Sequence, residues 1–415
     1  MTNTVQSISL RILLSEGSST SAREAITALG GQGHRIEVCD PDPHCLGRFS
    51  RYVHKFHKCP GIARNPREYI SFILHLVSRR SFDVLLPIHE QGLLFAKVQE
   101  QLKAHINVAL PSFESYCAAH NKADFGRLLE KLDLPQPKTR LLNSLAELRD
   151  FVRFPSVVKM SVGTASRGTW IIRDKTDLQS VQRELTEANA FQDEVLLQEF
   201  IEGPVEHAQA IFQHGRLWAF HAYRQLLPGA GGGDALKESV RRPFVRADVA
   251  RIGEQLAWHG ALSVDYIFKD GAQRANYIDC NPRLVEPMNA LWAGLDLTKL
   301  LIEISRGAVI ATSSESRPGI RTHLAIQALL GCALRTQSRL ALLREWRILS
   351  SRTGRYAGSR EELTPVRLDW LSIVPLVMTL LFLVVNPGLA HALPRRGWGS
   401  HLLSPQSIRK IKAFA

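Results

Sequence analysis

The chain has 415 residues, 45% apolar and 22% charged, with a formal charge of +13. That is an ordinary soluble composition, and at roughly 100–200 residues per domain it allows two to four domains. Six scattered cysteines without a CxxC pair argue against a disulfide framework, and no DNA- or RNA-binding signature accompanies the charge.

The N-terminus shows no basic stretch followed by an apolar one, so the expected location is cytoplasmic. In residues 8–110, short apolar runs alternate with helical patterns. "SLRILLS", "RIEVCD", "FDVLLPI" and "INVAL" read as strands, and "SAREAITALGGQGH" and "REYISFILHLVSRR" as helices. This alternation predicts a parallel sheet with helices on its faces. The first turn, "SEGSSTSA", lacks GxGxxG, so a dinucleotide site is weakly supported. Residues 111–190 give a helical stretch, a break at "PQPKTR", and strand–loop–strand in "FPSVVKMSVGTASRGTWIIRD". In residues 191–310 two long strands joined by "QHG" predict an antiparallel hairpin. A glycine cluster, "PGAGGGD", and the run "YIDCNPRL" follow.

From Ala311 onward, 15 Lys/Arg face 5 Asp/Glu, so most of the positive charge is local. A solvated basic surface and an acidic partner such as a membrane surface both fit. Leu371–Val385 is fifteen residues without a charge, short of the roughly 20 that a spanning helix needs. Reaching that length means crossing Asn386, Pro387 and His391. Three readings of residues 368–393 stay open: a buried helix, one lying on a membrane, or a span. Arg395 and Arg396 would suit an anionic leaflet under either membrane reading.

The chemistry concentrates near residue 280. Asp279 and Asn281 are two apart on one strand and so share a face, and Asp265 comes from the preceding strand. Two carboxylates and an amide oxygen are ligands for a hard cation such as Mg²⁺, and Arg283 adds a fixed positive fork for a phosphoryl or carboxylate group. Alone, Asp-x-Asn is an ordinary strand end. Lys159, however, follows an apolar run and precedes "VGTASRG", a small flexible loop suited to phosphates, and Lys122 stands upstream in "HNKADFGRLLEKLDLPQPKT". In "EVLLQEFIEGPVEH" a strand stops at Gly203-Pro204. Two readings stay open: a plain strand and turn, or backbone near Glu199 and Ile201 that reads an adenine edge, with Glu206 accepting from ribose hydroxyls. A Cys/His-rich stretch, Cys39–Cys59, has no standard zinc spacing.

In this order and spacing, "NKADFGRLLEKLDLPQPKT", "FPSVVKMSVGTASRG", "LLQEFIEGPVEH" and "SVDYIF…YIDCNPRL" resemble the ATP-grasp superfamily over roughly residues 8–310. Within it the chain looks most like stand-alone carboxylate–amine ligases of the carbamoyl-phosphate-synthase type. The resemblance implies an α/β chain in four parts. These are an N-terminal parallel-sheet domain (1–110), a small ATP-grasp subdomain (111–190), a large one (191–310), and a basic, mainly helical extension (311–415). It implies ATP and Mg²⁺ or Mn²⁺, with two ions, and as partners a small-molecule carboxylate and a nucleophile.

Residue by residue, it implies that Lys122 and Lys159 bind phosphates, and that Gly163, Ser166 and Gly168 belong to the loop closing over them. Gln198, Glu199 and Ile201 would form the adenine hinge, with Glu206 near the ribose. Asp265, Asp279 and Asn281 would ligate metal, and Arg283, with Lys159, would steady the transferred phosphoryl group. Arg224, Gly231 and Gly232 are candidate substrate contacts. Asp279 stands where Glu is commoner, which would draw the metal closer to the strand. The implied reaction is carboxylate activation as an acyl phosphate, then attack by an amine or similar nucleophile. A nucleotide sensor without turnover and a membrane-associated scaffold are the alternatives.

Overall fold

The computed structural model describes residues 9–163, 167–309, 312–363, 365, 367–393 and 401–414. Strands β1 (Arg11–Leu14), β2 (Arg35–Asp40), β3 (Val53–Lys58) and β4 (Val84–Leu86) form a parallel sheet in the order β3-β2-β1-β4. Helix Thr20–Gly31 follows β1, capped by Ser19, whose side chain accepts from the Ala22 N–H. "INVAL" was expected to be the fourth strand, yet it contributes a single bridge, Val84 to Asn107. The fourth strand is β3, "VHKFHK", an edge strand whose half-exposed, charged residues leave no apolar run to read.

Strands β5 (Thr139–Leu142), β6 (Ser156–Met160), β7 (Thr169–Ile172) and β8 (Val195–Glu199) make a small antiparallel sheet in the order β5-β8-β6-β7. It has its own core, including Leu148, Val158, Ile172 and Leu185. The large sheet runs β13-β12-β9-β10-β11-β15-β16, with β14 (Ser314–Glu315) paired to β10. Its members are β9 (Val205–Gln213), β10 (Arg216–Pro228), β11 (Asp234–Ser239), β12 (Gly260–Ile267), β13 (Asn276–Asn281), β15 (Arg321–His323) and β16 (Arg360–Glu361). The expected β9–β10 hairpin turns through His214 and Gly215, both at positive φ, as a two-residue turn between right-twisted strands requires.

Helix Pro243–Gln255 packs on this sheet at Gly253, where an added Cβ would lie 2.0 Å from Cε1 of buried Phe212. Gly253→Ala is therefore expected to lower stability by about 1–3 kcal/mol despite alanine's better helix propensity. Denaturant titration against the parent checks this.

The last hundred residues are not an appendage. Helices Ala325–Thr336, Arg339–Ser351 and Ile373–Val385 share a core with Ala235 and Leu236 of β11. Asp369 pairs with Arg23 at 2.9 Å, both side chains fully buried. The final helix, Pro405–Lys412, returns to the first domain, with Leu403, Ile408 and Ile411 in the largest core cluster. The apolar run forms a helix of 13 residues, about 20 Å long against a hydrocarbon core of about 30 Å. Among the described residues no helix is long and apolar enough to cross a membrane, so the spanning reading is dropped. Arg395 and Arg396 lie outside the described residues.

Candidate active site

Strand β13 is where the large sheet meets side chains from the small sheet and from the helix Lys122–Lys131. Its Asp279 stands directly opposite Asp265 of β12. Two like charges in cross-strand register repel, so the pair needs cations. Two side chains supply them. Lys122 opens helix Lys122–Lys131, which Asn121 caps by accepting from the Ala123 and Asp124 N–H groups. Its Nζ lies 2.7 and 2.8 Å from the two Asp279 carboxylate oxygens and 2.9 Å from the Gly163 carbonyl. His207 of β9 puts Nδ1 2.7 Å from Asp265. Its burial favours the neutral ring, but Asp234 and Asp265 outweigh that and raise its pKa to about 9.

Asn281 completes the oxygen set, its Nδ2 donating to Asp265 at 3.3 Å with Oδ1 left for other partners. Two carboxylates and an amide oxygen on one strand pair are a hard-cation donor set, and the cation now beside Asp279 is the side chain of Lys122. These residues fit Mg²⁺.

Lys159 reaches the same strand from β6, donating to the Ile278 carbonyl at 2.7 Å. Burial pushes its pKa down to about 8, with Lys122 adding to the fall and Asp279 opposing it. Because the folded value lies below that of an unfolded lysine, about 10.4, the protonated form is the costly one. The ligand-free protein should therefore gain stability as pH rises from about 8 toward 10. Lys159→Met should abolish that part of the slope, read as the denaturant midpoint against pH.

Arg283 lies just past β13, lining a cleft with Glu90, Tyr116, Lys122, Gly163 and Asn281. Gly163 sits at the loop mouth, and Gly168 takes φ +71° at the other end, its carbonyl accepting from Met160. Ser166 lies outside the described residues. Gln198 is buried and donates to Thr139 at 2.9 Å, Glu199 is exposed, and Ile201 lies in the loop joining β8 to β9.

Two expectations fail on sheet geometry. Glu206 was expected near a ribose, but it is fully buried and already bound. Arg224, Arg242 and Tyr266 hold its carboxylate at 2.6–3.0 Å. It pairs in register with Tyr266, whereas its neighbour His207 pairs with Asp265, so Glu206 lies on the face away from the aspartates. Arg224, its partner across β9–β10, shares that wrong face and is engaged by Glu206 and Asp270. It is no contact for a substrate at Asp265. Gly231 and Gly232, at φ +60° and +78°, shape the exposed β10–β11 turn, where the Ala230 N–H is anchored by Gln327 of the extension.

The face that does carry Asp265 holds residues the sequence reading missed. His207 stands opposite Tyr223 of β10, and Lys237 of β11, whose register partner is Gln225, shares that face and places its Nζ 4.9 Å from the centre of the Tyr223 ring. Lys237 is fully buried, 2.7 Å from Glu286 and 2.9 Å from Glu362. Glu24 lies close by, and burial beside these acids raises its pKa well above the usual range. Alternation along β9 was the available signal for His207, but the faces of three strands had to be known together. The C-terminal segment also reaches the cleft. The Leu403 N–H donates to Glu90, and His401 bridges Asp40 at 3.1 Å and Gln91 at 2.9 Å.

No family model matches this chain. It is 25% identical over 182 residues to the carbamoyl phosphate synthase large chain of Deinococcus radiodurans, covering 41% of this chain and 18% of that one. The Archaeoglobus fulgidus large chain is 24% identical over 212 residues, 47% and 19% of the two. The match thus spans less than a fifth of these curated relatives. Among solved structures, the biotin carboxylase domain of Hydrogenobacter thermophilus 2-oxoglutarate carboxylase, in complex with MgADP, ADP and bicarbonate, superposes with TM-score 0.60 at 16% identity. It covers 76% of this chain and 74% of that one. An ADP complex of N5-carboxyaminoimidazole ribonucleotide synthetase gives 0.58 at 14%, covering 80% and 85%. The chain has the ATP-grasp fold. An L-amino acid ligase from Bacillus licheniformis also shares it, at TM-score 0.54 and 12% identity over 73% of this chain and 75% of that one. The α/β fold class expected from the sequence thus holds, and the likeness covers about three-quarters of the chain.

Proposed function

We propose that this chain is an ATP- and Mg²⁺-dependent ligase that activates a small carboxylate as an acyl phosphate for attack by an amine or similar nucleophile. The observation that carries the reading is the convergence on β13. Lys122 and Lys159 come from the small-sheet side, Arg283 follows the strand, and Asp265, Asp279 and Asn281 form one oxygen face. The relatives' names, among them carbamoyl phosphate synthase and L-amino acid ligase, support it.

Asp265, Asp279 and the Asn281 oxygen would hold Mg²⁺, which would screen the like charges of triphosphate and carboxylate. The Lys122 ammonium, held on Asp279 in the ligand-free protein, would turn to the phosphates. Lys159 supplies a second cation once phosphate oxygens restore its proton. Because both lysines now clasp β13, nucleotide entry requires the small sheet to swing from that strand, with the 199–204 segment as hinge. Gln198, Glu199 and Ile201 present the adenine edge there. Since Glu206 is spent, exposed Glu199 and Glu202 are the hinge acids left to meet the ribose.

The acceptor carboxylate lies over the face of Asp265 and His207. Its oxygen attacks the γ-phosphorus in line, the bridging oxygen leaves on ADP, and Arg283 holds the transferring oxygens. The amine then adds at the acyl carbon and loses a proton as phosphate departs. Closure of the 163–168 loop keeps water out.

Purified protein is given MgATP, hydroxylamine and a panel of carboxylates. Carboxylate-dependent hydroxamate in step with ADP supports the ligase. ADP without hydroxamate, across the panel, points to a simple ATPase instead.

A further inference from the structure

The Ile373–Val385 helix is apolar all round but buries only one side. Leu376 and Leu383 are buried in the extension's core, with Leu380 packed against it. Val377, Met378, Leu381, Phe382 and Val385 are exposed, Leu381 by 58% and Val385 by 70%. Their spacing, i, i+1, i+4, i+5 and i+8, places them in a single stripe along the helix. Leu340 and Leu343 are exposed one helix away, and Arg339 donates to the Val385 carbonyl at 2.8 Å, so the two helix ends adjoin. Trp370, exposed by 59%, stands just before the stripe.

Among its described residues, the chain segment that carries this stripe exposes fully only one sign of charge. Between Arg321 and His391, Arg335, Arg339, Arg344, Arg347, Arg352 and Arg367 are exposed. Of the four acids in that stretch, Glu345, Glu362 and Asp369 are buried, and Glu361 is half-buried. The sequence pairs acids with arginines, but folding withdraws the acids and leaves the arginines outside. A protein partner of ordinary composition has no reason to require an apolar ridge flanked only by cations, whereas an anionic bilayer matches both features. A helix too short to span lies flat, its stripe in the acyl boundary and its arginines among the headgroups.

We propose that the extension docks this enzyme on an anionic membrane surface through that ridge. This goes beyond the ligase reading and does not depend on it.

The test is sedimentation of the full chain with vesicles of phosphatidylcholine alone or with phosphatidylserine added, at low and high salt. Binding is expected only with phosphatidylserine and should weaken as salt rises. Arg339→Gln/Arg344→Gln/Arg347→Gln should reduce it by about one hundredfold. Leu381→Ser/Phe382→Ser should abolish it with a melting point close to the parent's, because neither side chain belongs to the buried core. No sedimentation with anionic vesicles at low salt overturns the proposal, as does undiminished binding by either variant. A parent that is dimeric, becomes monomeric in Leu381→Ser/Phe382→Ser and ignores vesicles would instead make the ridge a contact between two copies.

Discussion

Asp279→Asn should reduce MgATP-dependent ADP formation by about 10²–10³-fold. The substitution is nearly isosteric and keeps the strand pairing with Asp265, but it removes the charge that holds Lys122 and that the proposed reaction assigns to the metal. Any loss therefore reports electrostatics rather than packing. Asp270→Asn provides the control. That acid is exposed and touches Arg224 on the far face of the sheet, so its activity should stay within about twofold of the parent. Equal activity in the two variants would remove Asp279 from the reaction.

Asp369→Ala should cost about 3–5 kcal/mol of stability, because it strands Arg23 as a buried, unpaired cation. Asp369 also accepts from Ser50 and from the Arg51 N–H at 2.9 Å, so the extension loses one of its ties to the first domain. The double replacement Arg23→Met/Asp369→Leu should recover most of the loss, since a buried ion pair is often replaceable by apolar groups. Denaturant midpoints of the three variants decide it. Recovery in the double variant and not in the single one identifies the stranded charge as the cause. The same contact makes deletion from Arg367 onward a poor probe of the tail, since it removes Asp369 together with the apolar helix.

Much of this fold was legible because its signals are local. The His214-Gly215 turn and the apolar runs of β1, β2 and β4 are written in neighbouring residues. Asp265 and Asp279 were legible as a pair because one hairpin joins them. Lys122 and Lys159 were legible through motif order, even though they meet β13 only through long-range packing. What failed depended on sheet geometry. Whether Glu206 or His207 faces the aspartates is a matter of one residue of register on β9, and nothing local fixes it. Arg224 followed Glu206 to the wrong face by the same parity. Strand β3 was hidden because an edge strand can be polar. The return of residues 401–414 to Glu90 and the buried Lys237–Glu286–Glu362 group join residues far apart in the chain, and no periodicity announces such contacts.

The central claim is that a carboxylate oxygen attacks the γ-phosphate. It is tested most directly by supplying the carboxylate panel labelled with ¹⁸O and weighing the phosphate released from MgATP. The account predicts phosphate carrying one ¹⁸O for each ADP formed with the true substrate, and none with the Asp279→Asn variant. Phosphate that stays unlabelled while ADP accumulates would mean that water, not a carboxylate, is the acceptor, and the ligase reading would be wrong.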